Sequence, residues 1–383
     1  MITEQNTINL QTKNETHHWQ TEMREAVRDI KQLSDYFNEY HPNFNFKIED
    51  FKSTRANNSH LQQNQYPIFL PKRLIAKMIE QGRDSALYRQ FLPSNLEHDF
   101  SIQQSGLIDP IGDQVFQVTK HLIHRYHNRA LFLPTNICPT ICRYCFRKNE
   151  LYDGTWGAIQ LDDTRQYLNN HPEINEIIFT GGDPLSLSNE KLDHYLNFFS
   201  QFEHIKFIRF HTRFPVIIPR RIDNGFIQVI EQYKSRFYQI SVAIHCNHHT
   251  EFDNEVFTAI EKLRSLNIQL LSQTVLLKNV NADFNSLLEL FNTFIRIGIR
   301  PYYLHHPDVV KGAMHFRMSL KEGRKLYQQL RNQLPGWAIP QYVVDLPQGQ
   351  GKTPAYNPET HDFGGEFINR HNQLSKYSEY FDE

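Results

Sequence analysis

Cysteine is scarce in this chain: 4 residues in 383, too few to act as a disulfide framework at this length. No uninterrupted apolar run reaches the ~18 residues that a membrane-spanning helix needs. The N-terminus, MITEQNTINLQTKNETHHW, is polar throughout and has no apolar signal-peptide core. Neither sign of charge dominates, with 41 Lys plus Arg against 42 Asp plus Glu. No overall field therefore recruits nucleic acid or a membrane surface, and any anionic ligand needs a local cluster of cations. No internal repeat or long low-complexity linker divides the chain. These absences predict a cytoplasmic protein without nucleic-acid or membrane partners.

What is present is enough apolar sequence, 39%, to bury a sizeable core. Residues 1–15, rich in Asn, Thr and Gln, read as a flexible tail. From Trp19 the spacing of Met23, Val27, Ile30, Leu33 and Phe37 predicts one amphipathic helix. From residue 130 short β-rich runs alternate with helical stretches such as Asn189 to Phe199 and Asp253 to Leu266. The runs are ALFLPTN (130–136), EIIFTGGD (176–183), FIRFHTR (207–213), ISVAIHC (240–246), IQLLSQTVLL (268–277) and RPYYLHH (300–306). Six βα units imply a parallel sheet that falls short of an eight-stranded barrel, so the expected fold is α/β, a partial (βα)6 TIM-like barrel. Chemistry in such folds gathers at the C-terminal strand ends, where Cys138, Asp183, His211, Arg213, His245, Gln273 and His305 fall.

Three of the four cysteines crowd into NICPTICRYCFRKNE: Cys138, Cys142 and Cys145, spaced C-x3-C-x2-C directly after the first predicted strand. A structural zinc site takes four ligands, and no neighbouring Cys or His pair supplies a familiar completion. An iron–sulfur cluster also takes four thiolates as a rule, so three leave one iron open to a small molecule. The bland alternative is a chance grouping of structural cysteines. With Tyr144 before the last cysteine, the triplet resembles the hallmark of the radical S-adenosylmethionine superfamily. That resemblance implies a 4Fe–4S cluster whose open iron binds S-adenosylmethionine. TGGDP (180–184), ending the second strand, is similar to that superfamily's glycine-rich segment, implicating Gly181, Gly182 and Asp183.

Further segments narrow the resemblance. HRYHNR sets Arg125 and Arg129 about Tyr126, two forks beside a ring that together suit a phosphate and a planar group, or simply a solvated basic face. DLPQGQGK places Lys352 after a Gly-rich turn, and lysine is the residue that forms Schiff bases. With HTRFPVIIPRRI (211–222), HCNHHTEF (245–252), LSQTVLL (271–277) and PYYLHHPDVVKGAMHFR (301–317), these resemble the lysine 2,3-aminomutase family across roughly Trp19 to Pro354.

The resemblance implies an isomerase that exchanges an amino group between C2 and C3 of L-lysine. It implies pyridoxal phosphate on Lys352, lodged by Arg125, Tyr126 and Arg129, with Tyr302 on the strand lining it. His245 and Gln273 match positions near S-adenosylmethionine. Arg147 matches the partner of the substrate carboxylate, and Asp308 and Asp345 the pair that grips its distal ammonium. An electron donor such as flavodoxin or ferredoxin is implied. The larger members carry C-terminal cysteines that bind zinc between subunits. Residues 353–383 have none here, so no structural zinc and a homodimer are expected. CRYCFR, HNRALFL and PYYLHH are also similar to the short branch that modifies a lysine of elongation factor P. An arginine or glutamate aminomutase, and a non-catalytic iron–sulfur or zinc-binding protein, are the other readings. The expected organisation is the tail 1–15, an N-terminal helical and cofactor-supporting region 16–129, the radical-S-adenosylmethionine-type barrel 130–310, and a C-terminal region 311–383 carrying Lys352.

Overall fold

A computed structural model describes residues 19–41, 67–151, 157, 159–356, 366–368 and 374–376. The expected tail 1–15 lies outside them. Ten strands form one sheet in sequential order: β1 (Gln117–Thr119), β2 (Leu122–Tyr126), β3 (Arg129–Thr135), β4 (Glu176–Gly181), β5 (Phe207–Thr212), β6 (Gln239–His245), β7 (Gln269–Val275), β8 (Arg300–His305), β9 (Gln341–Leu346) and β10 (Gly351–Pro354). The six expected strands are β3 to β8, all parallel to one another. A seventh, β9, joins parallel to β8 after the helix Leu320–Gln333, while β2 and β10 add antiparallel at the two sides. The sheet thus runs across both of the boundaries drawn at 130 and 310.

The ladder does not close on itself, since β1 and β10 are its two edges. The gap is bridged near β2 and β10 by other contacts. The backbone N–H of Lys352 donates to the Tyr126 hydroxyl at 2.8 Å, and that of Gly349 donates to the Ile111 carbonyl at 3.0 Å. A partial barrel is the result, with its seam sewn by side chains and loops.

Helices cover the sheet because each presents an apolar stripe and a capped start. Asn254–Ser265 buries Val256, Ala259, Ile260 and Leu263, and its cap Asp253 accepts from the Val256 N–H. Phe284–Arg296 does the same with Leu287, Leu290, Phe291 and Phe294 behind the cap Asp283. One expectation fails. The helix read through Trp19 to Phe37 is two helices, residues 19–24 and Ile30–Tyr40. Asp29 caps the second, accepting from Gln32 N–H at 2.8 Å, and Val27 leaves helical geometry to bridge with Leu70. The apolar period survives the break because both pieces face the same core. Among the described residues no helix is long and apolar enough to cross a membrane.

Candidate active site

A cavity of about 1080 Å³ occupies the barrel. Its wall includes residues from the C-terminal strand ends, among them Cys138, Gly181, His245 and Gln273, and residues from the starts, such as Arg129, Gln239 and Arg300. Every sequence-predicted site residue lines it: Cys138, Cys142 and Cys145; Gly181, Gly182 and Asp183; Arg125, Tyr126 and Arg129; Arg147, His245, Gln273, Tyr302, Asp308, Asp345 and Lys352.

The cysteine loop leaves β3 and turns tightly, with the Cys145 N–H donating to the Cys142 carbonyl at 3.1 Å. All three thiols are free, and burial pushes Cys138 well up and Cys145 to about 12. A thiolate at these positions therefore needs a neighbouring cation, which is what a metal supplies. Among the described residues no three His, Cys, Asp or Glu converge on one ion-sized point. A polynuclear cluster asks instead for one thiolate per iron. The fourth cysteine, Cys246, is fully buried and donates to the His248 carbonyl at 3.5 Å.

The loop is anchored from behind by a buried triad that sequence reasoning missed. Glu97 receives Arg143 at 2.6 Å and Lys148 at 3.0 Å, all three side chains essentially inaccessible. The partners respond in opposite senses. Two cations hold the Glu97 carboxyl at about 2, despite burial that alone would raise it. Burial, aided by Arg143, drops Lys148 to about 8 against the pull of Glu97. Glu97→Gln removes the carboxylate that two buried cations share and should cost about 3–5 kcal/mol, read as a fall in the denaturation midpoint. Because the folded Glu97 is depressed, its contribution is present above 4.5 and lost as pH falls through about 2. The variant's deficit should therefore shrink across that acid window.

The glycine segment serves close backbone approach. Gly181 has φ +99°, and a Cβ on Gly182 would lie 2.6 Å from the Asn136 carbonyl carbon and the Ile137 oxygen. The pair thus lets the end of β4 lie flat against the start of the cysteine loop, with Gly182 and Asp183 N–H groups donating to Thr135 and Ile137 at 2.8 Å. Asp183 is buried among donors, accepting from Thr212 Oγ1 at 2.7 Å and the Arg213 N–H at 2.6 Å. Burial nevertheless raises it to about 6.

From the cysteine loop itself, Tyr144 Oη lies 2.9 Å from His245 Nε2, and farther along the strand ends Gln273 Nε2 lies 3.5 Å from His305 Nε2. Burial holds His211, His245 and His305 far below the ordinary imidazole range, so all three are neutral. His211 Nε2 is buried with no hydrogen-bond partner, an acceptor or donor facing the cavity.

The lysine comes from a hairpin. Gln348, Gly349 and Gly351 all have positive φ, turning β9 into β10 so that Lys352 stands directly across from Asp345. Their side chains form an ion pair, and His305 Nδ1 lies 3.3 Å from Lys352 Nζ. The turn is pinned by contact with the loop before β1, since a Cβ on Gly112 would fall 2.3 Å from the Gly349 nitrogen. Asp345 also meets Arg125 at 3.4 Å. Tyr126 is flanked by two guanidinium groups, Arg129 at 3.9 Å and Arg125 at 5.0 Å from the ring centre. Asp308 lies beside this group, its carboxyl raised to about 7 by burial and then by the charge of Asp345. Tyr302 packs against Tyr303 with the rings tilted by 34° and their centres 3.8 Å apart, and its hydroxyl accepts from Arg209 at 3.0 Å. Arg147 pairs with Asp113, which also contacts Arg125 at 3.3 Å, while Arg147 Nε has no partner. Asp113 was invisible in the sequence, since only the fold brings IGDQ beside both arginines.

No family model matches the chain. The L-lysine 2,3-aminomutase of Escherichia coli is 34% identical over 337 residues, covering 88% of this chain and 94% of that protein. The L-lysine 2,3-aminomutase of Haemophilus influenzae is 32% identical over 345 residues, 88% of this chain and 96% of its own length. That of Clostridium subterminale is 31% identical over 268 residues, 70% of this chain and 63% of its longer sequence. Among solved structures, Streptococcus suis SuiB bound to S-adenosylmethionine aligns over 60% of this chain and 52% of its own, with a TM-score of 0.44 and 15% identity. A likeness that distant carries no argument. The sequence relatives do: at these identities over almost the whole of two relatives, the chain belongs to the lysine 2,3-aminomutase family of isomerases.

Proposed function

We propose that this protein moves the α-amino group of L-lysine to C3, giving β-lysine, with a 4Fe–4S cluster, S-adenosylmethionine and pyridoxal phosphate bound in the cavity. The observation that carries the reading is that Asp345 already grips one lysine ammonium, that of Lys352, inside the cavity lined by the three thiols. A site that neutralises one alkylammonium suits another, and Asp308 adjoins it as a second carboxyl. The family relatives support the same substrate.

The residues fit the cofactors. Cys138, Cys142 and Cys145 would hold the cluster, beside backbone brought close by Gly181 and Gly182 and next to His245 and Gln273. Arg125 and Arg129 about Tyr126 would take the phosphate and ring of pyridoxal phosphate, with Lys352 on its aldehyde. When bound, the cluster with S-adenosylmethionine supplies a hydrogen-abstracting carbon radical, and pyridoxal phosphate supplies an aldehyde and a π-system that spreads an unpaired electron.

The protein's own part is placement. Arg147 offers a fork for the substrate carboxylate, and Asp308 with Asp345 takes the far ammonium, fixing the chain between two charged ends. His305 Nδ1, 3.3 Å from Lys352 Nζ, and the Asp345 carboxylate together fix where the lysine nitrogen stands. The reading includes an external electron donor of flavodoxin or ferredoxin type, a homodimer and a cytoplasmic setting.

The test is an anaerobic assay with free lysine, arginine and glutamate, followed by mass spectrometry. β-Lysine is the expected product; its absence from enzyme with all cofactors bound sinks the reading. A pH series sharpens it. Asp308, raised to about 7, is protonated below that value and then contributes no charge to the clamp. KM for lysine should therefore fall as pH rises through 7, and Asp308→Asn should flatten that dependence while raising KM by roughly one to two orders of magnitude.

A further inference from the structure

Arg213 stands just past β5, its side chain buried in the wall of the cavity. One guanidinium nitrogen points to Cys142 Sγ at 3.6 Å and donates to the Tyr144 hydroxyl. The other reaches Gln90 Oε1 at 3.1 Å and the Glu251 carboxylate. The Phe91 ring lies 4.7 Å beneath the group. Its anchors are themselves fixed. Glu251 accepts from the N–H groups of Asn247 at 2.8 Å and His248 at 3.0 Å, and Gln90 accepts from Arg143 N–H at 2.8 Å through its backbone oxygen. The cation is thus clamped between the N-terminal helices and the loop after β6, and aimed at one sulfur of the triplet.

The geometry points to Arg213 as a positioning residue that sets the reduction potential of the metal centre through Cys142. The inference rests on the proposed role of Cys138, Cys142 and Cys145 as cluster ligands. A buried, permanently charged donor to a thiolate sulfur withdraws electron density and favours the state with one more electron. Glu251 has two opposed effects, holding the guanidinium in place and offsetting its charge. Arg213 carries its charge permanently, paired with the Glu251 carboxylate.

The test uses full-length protein reconstituted anaerobically without S-adenosylmethionine, with iron and sulfide counted and the midpoint potential read by electron paramagnetic resonance during a redox titration. R213Q should move the midpoint to more negative potential, and R213K should recover part of the shift. E251Q, which keeps the donor and removes its counter-charge, should move it the other way. Full iron in R213Q at the wild-type potential overturns the inference, as do shifts of R213Q and E251Q in the same direction, the mark of general loosening. If R213Q holds no cluster, E251Q decides, and an unshifted potential there overturns the inference. Wild-type protein that takes up no iron or sulfide overturns the cysteine assignment itself.

Discussion

Lys352→Ala should lower turnover by at least ~10³-fold while leaving the fold intact. The side chain is part-buried in the cavity and held by Asp345, but what fixes this strand is backbone. The N–H of residue 352 donates to Tyr126, the β9–β10 register pairs residue 352 with Asp345, and neither needs the ammonium. Removing the amine leaves Asp345 with Arg125 as its remaining cation, so the local charge stays compensated. The loss should therefore be chemical rather than structural. Borohydride treatment of the cofactor-loaded wild type should fix the cofactor's mass on the peptide containing Lys352, and the variant should show none. A variant that makes β-lysine at the wild-type rate would falsify the assignment.

Cys142→Ala, and equally Cys138→Ala or Cys145→Ala, should eliminate the cluster and with it all measurable activity, read as iron and sulfide content and loss of visible absorbance. The contrast is Cys246→Ala, at a fully buried thiol outside the C-x3-C-x2-C motif, which should keep its iron and lose only about 1 kcal/mol of stability from the small void. The triplet's loop is tethered by Glu97, Arg143 and Lys148 and not by the sulfurs, so its alanine variants should still fold. Full iron in the Cys142 variant, or iron loss in the Cys246 variant, would reverse the roles.

The two results probe different halves of one cavity. The thiols stand on a loop at the C-terminal end of β3, whereas Lys352 belongs to the hairpin that bridges the seam of the incomplete barrel. Only the closed seam puts them in one chamber. This also explains why the Gly-rich turn before Lys352 matters. It orients the hairpin and lets Gly112 and Gly349 touch, so its glycines serve the register of β9 and β10.

The sequence by itself determined the features that depend on local pattern. Apolar period and turn residues placed β3 to β8 and the helices between them, because each strand and helix carries its own periodicity and caps. The predicted residues that line the cavity were legible because they stand in short contiguous motifs. Tertiary structure decided what depends on residues far apart in the chain. The break at Glu25–Asp29 escaped the helical period, because Val27 is drawn out by Leu70 across 43 positions of chain. Asp113 between two arginines and Glu97 beneath the cysteine loop have no sequence signature, and the strand-end position of Arg213 did not show that it meets Cys142, since each is a charge whose partners arrive by folding. Asp345 and Lys352 lie seven positions apart, and only the four-residue turn of the hairpin, 347–350, brings that interval into direct opposition. Motifs name the chemistry a chain can perform; burial, register and the closing of the barrel decide which charges meet.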